Sequence, residues 1–141
     1  MSIRQISVFL ENKPGMLEGM TQLLAENGID MRALSLAETE GFGIVRIIVD
    51  DVYETATVLK DNDYVSSRTP VVAVQIPDVV GGLNKVLTAL TAADVNLEYM
   101  YSALAGGEGG NAYMILRVED TKRAEEALRS AGFKLVEKFP D

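Results

Sequence analysis

The chain has 141 residues, 48% of them hydrophobic and 24% charged, with 21 acidic against 13 basic residues for a formal net charge of −8. It contains neither histidine nor cysteine, which excludes Ser-His and Cys-His nucleophile pairs, disulfides and thiolate metal sites, and disfavours zinc. Only carboxylates, lysine and tyrosine remain for chemistry, so composition favours binding over catalysis, with no cofactor or metal expected.

The charge is shared: residues 1–70 carry 6 basic and 11 acidic side chains, and residues 71–141 carry 7 and 10. Neither half has a basic block. Nucleic acid and anionic membrane surfaces are therefore poor partners, since both are held by clustered Lys and Arg. Apolar runs such as Val71-Val72-Ala73-Val74 are far too short to span a bilayer. MSIRQISVFLEN has no continuous apolar segment of signal-peptide type, and a cytoplasmic location is expected.

In chain order, alternation predicts a first strand at Ile3–Leu10, followed by ENKPGML at 11–17. Met16, Leu17, Met20, Leu23 and Leu24 then recur at helical spacing, and Gly28 stands where a helix ends. Strands are predicted at Ile29–Glu38 and Gly43–Val49. A helix follows behind the capping box Asp51-x-x-Glu54, carrying Val52, Ala56 and Leu59 inward. A fourth strand spans Tyr64–Thr69.

The pattern then starts again. Val71–Ile76 reads as a strand, PDVVGGL (77–83) as its following loop, and Leu83, Val86, Leu87 and Leu90 as a helix. Strands at Val95–Leu104 and Asn111–Val118 flank GGEGG (106–110), which has no phosphate-loop spacing and reads as a hairpin tip. Asp120 heads a helix marked by Ala124, Ala127, Leu128 and Ala131, Gly132 ends it, and Phe133–Phe139 is the last predicted strand. An offset of 66 residues superposes Val8 on Val74, Gly15 on Gly81, Leu24 on Leu90 and Asp30 on Asn96. After an insertion the offset becomes 69, and Ile47 meets Leu116 while Asp51 meets Asp120.

Each copy thus has the order βαββαβ, the ferredoxin-like arrangement. The predicted fold is α+β: two tandem ferredoxin-like units, 1–70 and 71–141, with antiparallel sheets and helices on one face. Units of this size have small cores and call for burial against a neighbour.

The strand-to-helix loops are the distinctive parts. Pro14 suits a first helical turn, and Gly15 permits a tight turn and a close approach. Amides at a helix start favour an anion, whereas Lys13 adds a positive charge that the helix dipole disfavours; an arriving carboxylate would relieve that conflict. Asn12 and its counterpart Asp78 could cap their helices or contact a ligand amine. Asn-x-Pro-Gly is also ordinary turn chemistry, and Lys13 between Glu11 and Glu18 could be a solvated charge. The recurrence of the loop at the same point of a repeated unit tips the balance towards ligand binding.

These residues carry a family resemblance. ENKPGML resembles the strand-to-helix glycine loop of the ACT domain, a small amino-acid-binding regulatory module, and GIDMRALS and DVNLEYMYS resemble the segment entering its second strand. The resemblance covers essentially the whole chain as two tandem copies. It implies that units pair side by side, with an amino acid bound where the glycine loop of one meets the second strand of its neighbour. The implied ligand-binding residues are Asn12, Lys13, Pro14, Gly15, Met16 and Leu17 with Asp30 and Met31, and Asp78, Gly81, Gly82 and Leu83 with Asn96 and Leu97. Val79 and Val80 depart from Lys13 and Pro14, which leaves the second site weaker, altered or vestigial. The resemblance further implies a non-catalytic sensor, a homodimer, and a regulated enzyme or other protein as partner.

Other readings stay open: a ligand-free protein-interaction module, a small enzyme using carboxylates or Lys13, and RNA binding, which lacks stacking aromatics on the middle strands. Tyr99 and Tyr101 share a strand face and serve either packing or a pocket. Arg32 and Glu98, equivalent positions of opposite charge, could pair if the two second strands adjoin. Asp50-Asp51 and Glu119-Asp120 suggest helix capping before a hard cation. The methionines fall mostly at core positions.

Overall fold

The computed structural model describes residues 3–104 and 110–139; most of the GGEGG segment, 106–109, lies outside the described residues. The chain divides into two compact units, one of Arg4–Thr69 and one from Pro70 onward that also takes in Ile3.

In the first unit, β1 (Ile3–Glu11), α1 (Met16–Glu26), β2 (Met31–Thr39), β3 (Phe42–Val49) and α2 (Val52–Asp61) follow one another before β4 (Val65–Pro77). The strand order is β2-β3-β1-β4, with β1 and β3, rich in branched and apolar residues, in the middle. Ile6 faces Ile47 and Glu11 faces Phe42 across the antiparallel β1–β3 ladder. Ile6, Val8 and Leu10 alternate onto the helix side, where they join Val45, Ile47, Val49, Met20, Leu24 and Leu59 in one core. On the opposite face Gln5, Ser7 and Ile48 are buried as well, and the Gln5 side-chain amide donates to the Ser7 hydroxyl at 3.2 Å.

The second unit repeats this with α3 (Gly82–Ala92), β5 (Leu97–Ser102), β6 (Asn111–Val118), α4 (Thr121–Ser130) and β7 (Lys134–Leu135). Its order is β7-β4-β6-β5, and its core gathers Val72, Val74, Ile76, Val86, Leu90, Leu116, Val118 and Leu128. The α+β architecture of two βαββαβ-like units therefore stands as the repeat predicts.

Three details differ from the sequence expectation. The predicted strands Tyr64–Thr69 and Val71–Ile76 are one continuous strand, β4. Pro70 does not interrupt it, because a fixed φ near −65° is compatible with extended backbone and only a donor is lost; its carbonyl still accepts from the Arg117 guanidinium at 3.0 Å. The last strand is two residues long; beyond it the Val136 amide donates to the Ala73 carbonyl at 2.8 Å, and Phe139 turns edge-on to Tyr113, ring centroids 5.6 Å apart. Finally, a register shift marks the same point of both edge strands, between Met31 and Ala33 and between Leu97 and Tyr99. Bulges of this kind re-aim a side chain, and Arg32 and Glu98 each find a partner inside their own unit: Arg32 pairs with Asp30 at 2.9 Å and Glu98 with Arg117 at 3.2 Å. Tyr99 and Tyr101 do share a face, opposite Arg117 and Ile115.

The four helices start in two ways. Asp51 caps α2, its carboxylate accepting from the Glu54 amide at 3.0 Å, and Asp120 caps α4, accepting from the Arg123 amide at 3.1 Å. The second arm of a capping box is taken by a neighbour, since the Asp51 amide donates to the Asp50 carboxylate at 3.0 Å. By contrast, α1 and α3 are entered through Gly15 and Gly81, at φ 86° and 83°, and no side chain caps either. Asn12 and Asp78 thus do not take the capping role open to them.

Two stability outcomes follow. Leu24 is 1% exposed in the first core, so Leu24→Ala lowers the unfolding free energy by about 2–5 kcal/mol in urea denaturation. Asp51→Ala and Asp120→Ala each lose about 0.5–2 kcal/mol, and Asn12→Ala and Asp78→Ala lose distinctly less in the same assay.

Candidate functional site

Residues 12–17 form one continuous exposed surface passing into the core. Asn12, Lys13, Pro14 and Gly15 are exposed, and Met16 and Leu17 are half-buried against the first core. A tight turn builds the loop: the Lys13 amide donates to the Glu11 carbonyl at 3.0 Å, and the Gly19 amide donates to the Gly15 carbonyl at 3.0 Å as the helix begins. Left-handed backbone at Gly15 is what swings the chain from strand into helix; a side-chained residue there costs about 1–2 kcal/mol. The early amides of a helix have no partner within it; here no side chain reaches back to them, and the Met16 amide donates to the Lys13 carbonyl at 3.4 Å. The Lys13 ammonium lies 3.2 Å from the Glu11 carboxylate, both well exposed, so it stays free to swing towards an anion: exposed pairs of this kind contribute about 0–1 kcal/mol.

Asp30 and Met31 do not join this loop within their own unit. Met31 faces Val49 at one end of β3, while Phe42 at the other end faces Glu11, where the loop leaves β1. Seven residues of strand separate the two, roughly 23 Å at the usual rise. The second unit has the same layout, with Leu97 opposite Val118 and Pro77 opposite Asn111. Within one unit, a small ligand at the glycine loop therefore does not reach the start of the second strand.

The second loop differs in detail. Asp78, Val79, Val80, Gly81 and Leu83 are exposed, Val80 completely, while Gly82 is buried. Its buried position comes with a close approach: a Cβ on Gly82 would collide with the carbonyl oxygen of Pro77. The Asp78 amide is tied to the Gly110 carbonyl at 2.9 Å, whereas the Gly82 amide donates to the Val79 carbonyl at 3.0 Å just as the Met16 amide donates to the Lys13 carbonyl at 3.4 Å in the first loop.

Asp50 carries a role that the sequence pattern did not disclose. Its carboxylate accepts from the Asp30 amide at 3.2 Å as well as from Asp51, fixing the entry to β2 onto the end of β3. At the matching end of the second unit, a polar cleft of about 590 Å³ is lined by Asp94, Asn96, Glu119, Asp120, Lys122 and Arg123. Sequence reasoning reached Asn96 but not this cleft, because its walls come from segments more than twenty residues apart. No group of three or more acidic residues is placed to hold a metal ion among the described residues, and no described helix is long and apolar enough to cross a membrane.

Comparison with known proteins agrees with this architecture. Protein BT0572 from Bacteroides thetaiotaomicron is 38% identical, with a TM-score of 0.89 over 96% of this chain and 92% of that one. The regulatory subunit of aspartate kinase from Thermus thermophilus, in its ligand-free form, shares the fold at 19% identity, TM-score 0.70, covering 94% of each chain. The corresponding subunit from Thermus flavus does so at 16% identity and 0.64, covering 93% of each. No curated protein matches. The family model for the ACT domain pair matches residues 1–138, and the chain belongs to the ACT domain pair family.

Proposed function

We propose that this protein is a non-catalytic regulatory sensor that binds a free amino acid at its glycine loops. The α-carboxylate sits at the start of α1, on the backbone amides of Gly15–Leu17, of which the Met16 amide is held by the Lys13 carbonyl at 3.4 Å until a ligand competes for it, and Lys13 turns towards it. Asn12 lies within the same loop to accept the ammonium. The observation that carries this reading is the contrast among helix starts: Asp51 and Asp120 close two of them with carboxylates of the protein's own, whereas α1 is left open behind a left-handed glycine. An uncapped helix start concentrates about half a positive charge on donors aimed outwards, which suits a small carboxylate.

The side-chain pocket comes from the second strand of an adjoining unit, at Asp30 and Met31 or Asn96 and Leu97. The roughly 23 Å between loop and strand start within one unit supports that arrangement. A ligand at such a junction acts by binding one arrangement of units more tightly than another, and it regulates a partner enzyme or other protein only through that difference. A homodimer supplies the further burial that small units need. The lack of histidine and cysteine supports a role without catalysis. The fold shared with regulatory subunits of aspartate kinase points the same way.

The rival reading, an interaction module without a ligand, draws on Val79 and Val80, which stand exposed in the second loop. A thermal-melting screen against the twenty free amino acids separates the two. At about 100-fold over Kd a bound amino acid stabilises by about 2.7 kcal/mol, and the melting temperature rises by several degrees. Gly15→Val, checked by circular dichroism to be folded, loses that rise. A flat screen across all twenty would favour the interaction module instead.

A further inference from the structure

We infer that the segment after β7 is a strap latched by Phe139, which opens while the second unit stays folded and in doing so bares Tyr113. The inference is independent of the amino-acid site proposed above.

Alternation explains why a strap forms at all. Phe133 and Leu135 pack on the second core, with Leu135 opposite Val74 in the β7–β4 ladder. Two residues further on, the same ladder would set Glu137 opposite Val72, on the core side, where Val72 is 2% exposed. A carboxylate is costly to bury among apolar side chains, so the ladder stops at Leu135. The Val136 amide still donates to the Ala73 carbonyl at 2.8 Å, and the chain then leaves the strand direction. Tyr113 stands between Ala112 and Met114, which pack on the core, so its ring points to the other face of the sheet. Phe139 meets it there edge-on, at 74° and 5.6 Å between centroids. The first unit does otherwise: the 69-residue offset places Val136 on Ser67 and Phe139 on Pro70, where β4 runs on as strand.

Burial along the strap is concentrated in one ring. Of the described residues 136–139, Glu137 and Lys138 are exposed, Val136 is half-buried, and Phe139 is buried at 7% exposure. Phe139 does not belong to the second core, which Val72, Val74, Leu116, Val118 and Leu128 form on the helix side. Segments with few buried apolar groups open at a lower free energy than the whole domain unfolds. Withdrawing Phe139 therefore releases the strap without disturbing that core. Tyr113, itself 7% exposed with the strap closed, then becomes accessible on the sheet face.

Native-state hydrogen exchange of the full chain at graded urea concentrations, read amide by amide by NMR, tests this. Val136 is expected to exchange at least about 100-fold faster than the slowest amides of β4 and β6, at a rate that urea below the unfolding transition hardly alters. Phe139→Ala speeds Val136 exchange by about tenfold or more, and Phe139→Leu speeds it less. Nitration of Tyr113 by tetranitromethane, followed by peptide mass spectrometry, also rises about tenfold in Phe139→Ala, while Tyr64, half-buried in the first core, keeps its rate. Val136 exchanging with the rate and urea dependence of the slowest amides would overturn the inference, since the strap would then open only with the whole unit. Unchanged exchange in Phe139→Ala would remove Phe139 as the latch, and unchanged nitration would remove Tyr113 as the group it covers.

Discussion

A helix that begins directly off a strand must satisfy or expose its first amides, and this chain does each of these where it matters. At α2 and α4 an aspartate takes up the orphan donors at about 3 Å, a local arrangement that stabilises the helix and leaves nothing for a ligand. At α1 and α3 the chain enters through a glycine with φ above 80°, and no side chain caps either start. The candidate site is a consequence of that one backbone constraint. Gly15 is needed for the turn, and the turn leaves the helix start without a side-chain cap.

The repeat places this device twice, and divergence between the copies acts on it. Positions that build the cores, such as Val8 and Val74 or Leu24 and Leu90, keep their chemistry because each unit must bury an equivalent helix face. Loop positions carry no such requirement. Lys13 and Val79, Asn12 and Asp78, Met16 and Gly82 have moved apart in charge and size without disturbing either sheet. A tandem pair can in this way keep two scaffolds while its loops diverge.

The strand register sets the two candidate segments apart. Because β1 and β3 run antiparallel, the exit of β1 and the entry of β2 lie at opposite ends of the sheet. Within one unit, a glycine loop and the start of the second strand therefore do not meet. The bulges beside Arg32 and Glu98 fall at those strand entries, where the ion pairs to Asp30 and Arg117 fix the local backbone.

Much of this was legible in the sequence. Alternation and helical periodicity gave the elements, since burying one face per element is a local demand written residue by residue. The 66-residue offset gave the repeat, and Asp51 and Asp120 announced their caps because capping acts over three residues. What the sequence could not show was decided by contacts between distant segments: the fusion of two strands through Pro70, the two-residue β7, the Asp50 bridge to Asp30, and the Pro77 carbonyl against Gly82. Whether Asn12 and Asp78 cap their helices also depended on the three-dimensional turn, not on residue type. Local chemistry acts over a few neighbours and leaves its pattern in the order of residues, whereas a carbonyl settling against a helix start depends on how strand and helix pack, and only the folded chain sets that.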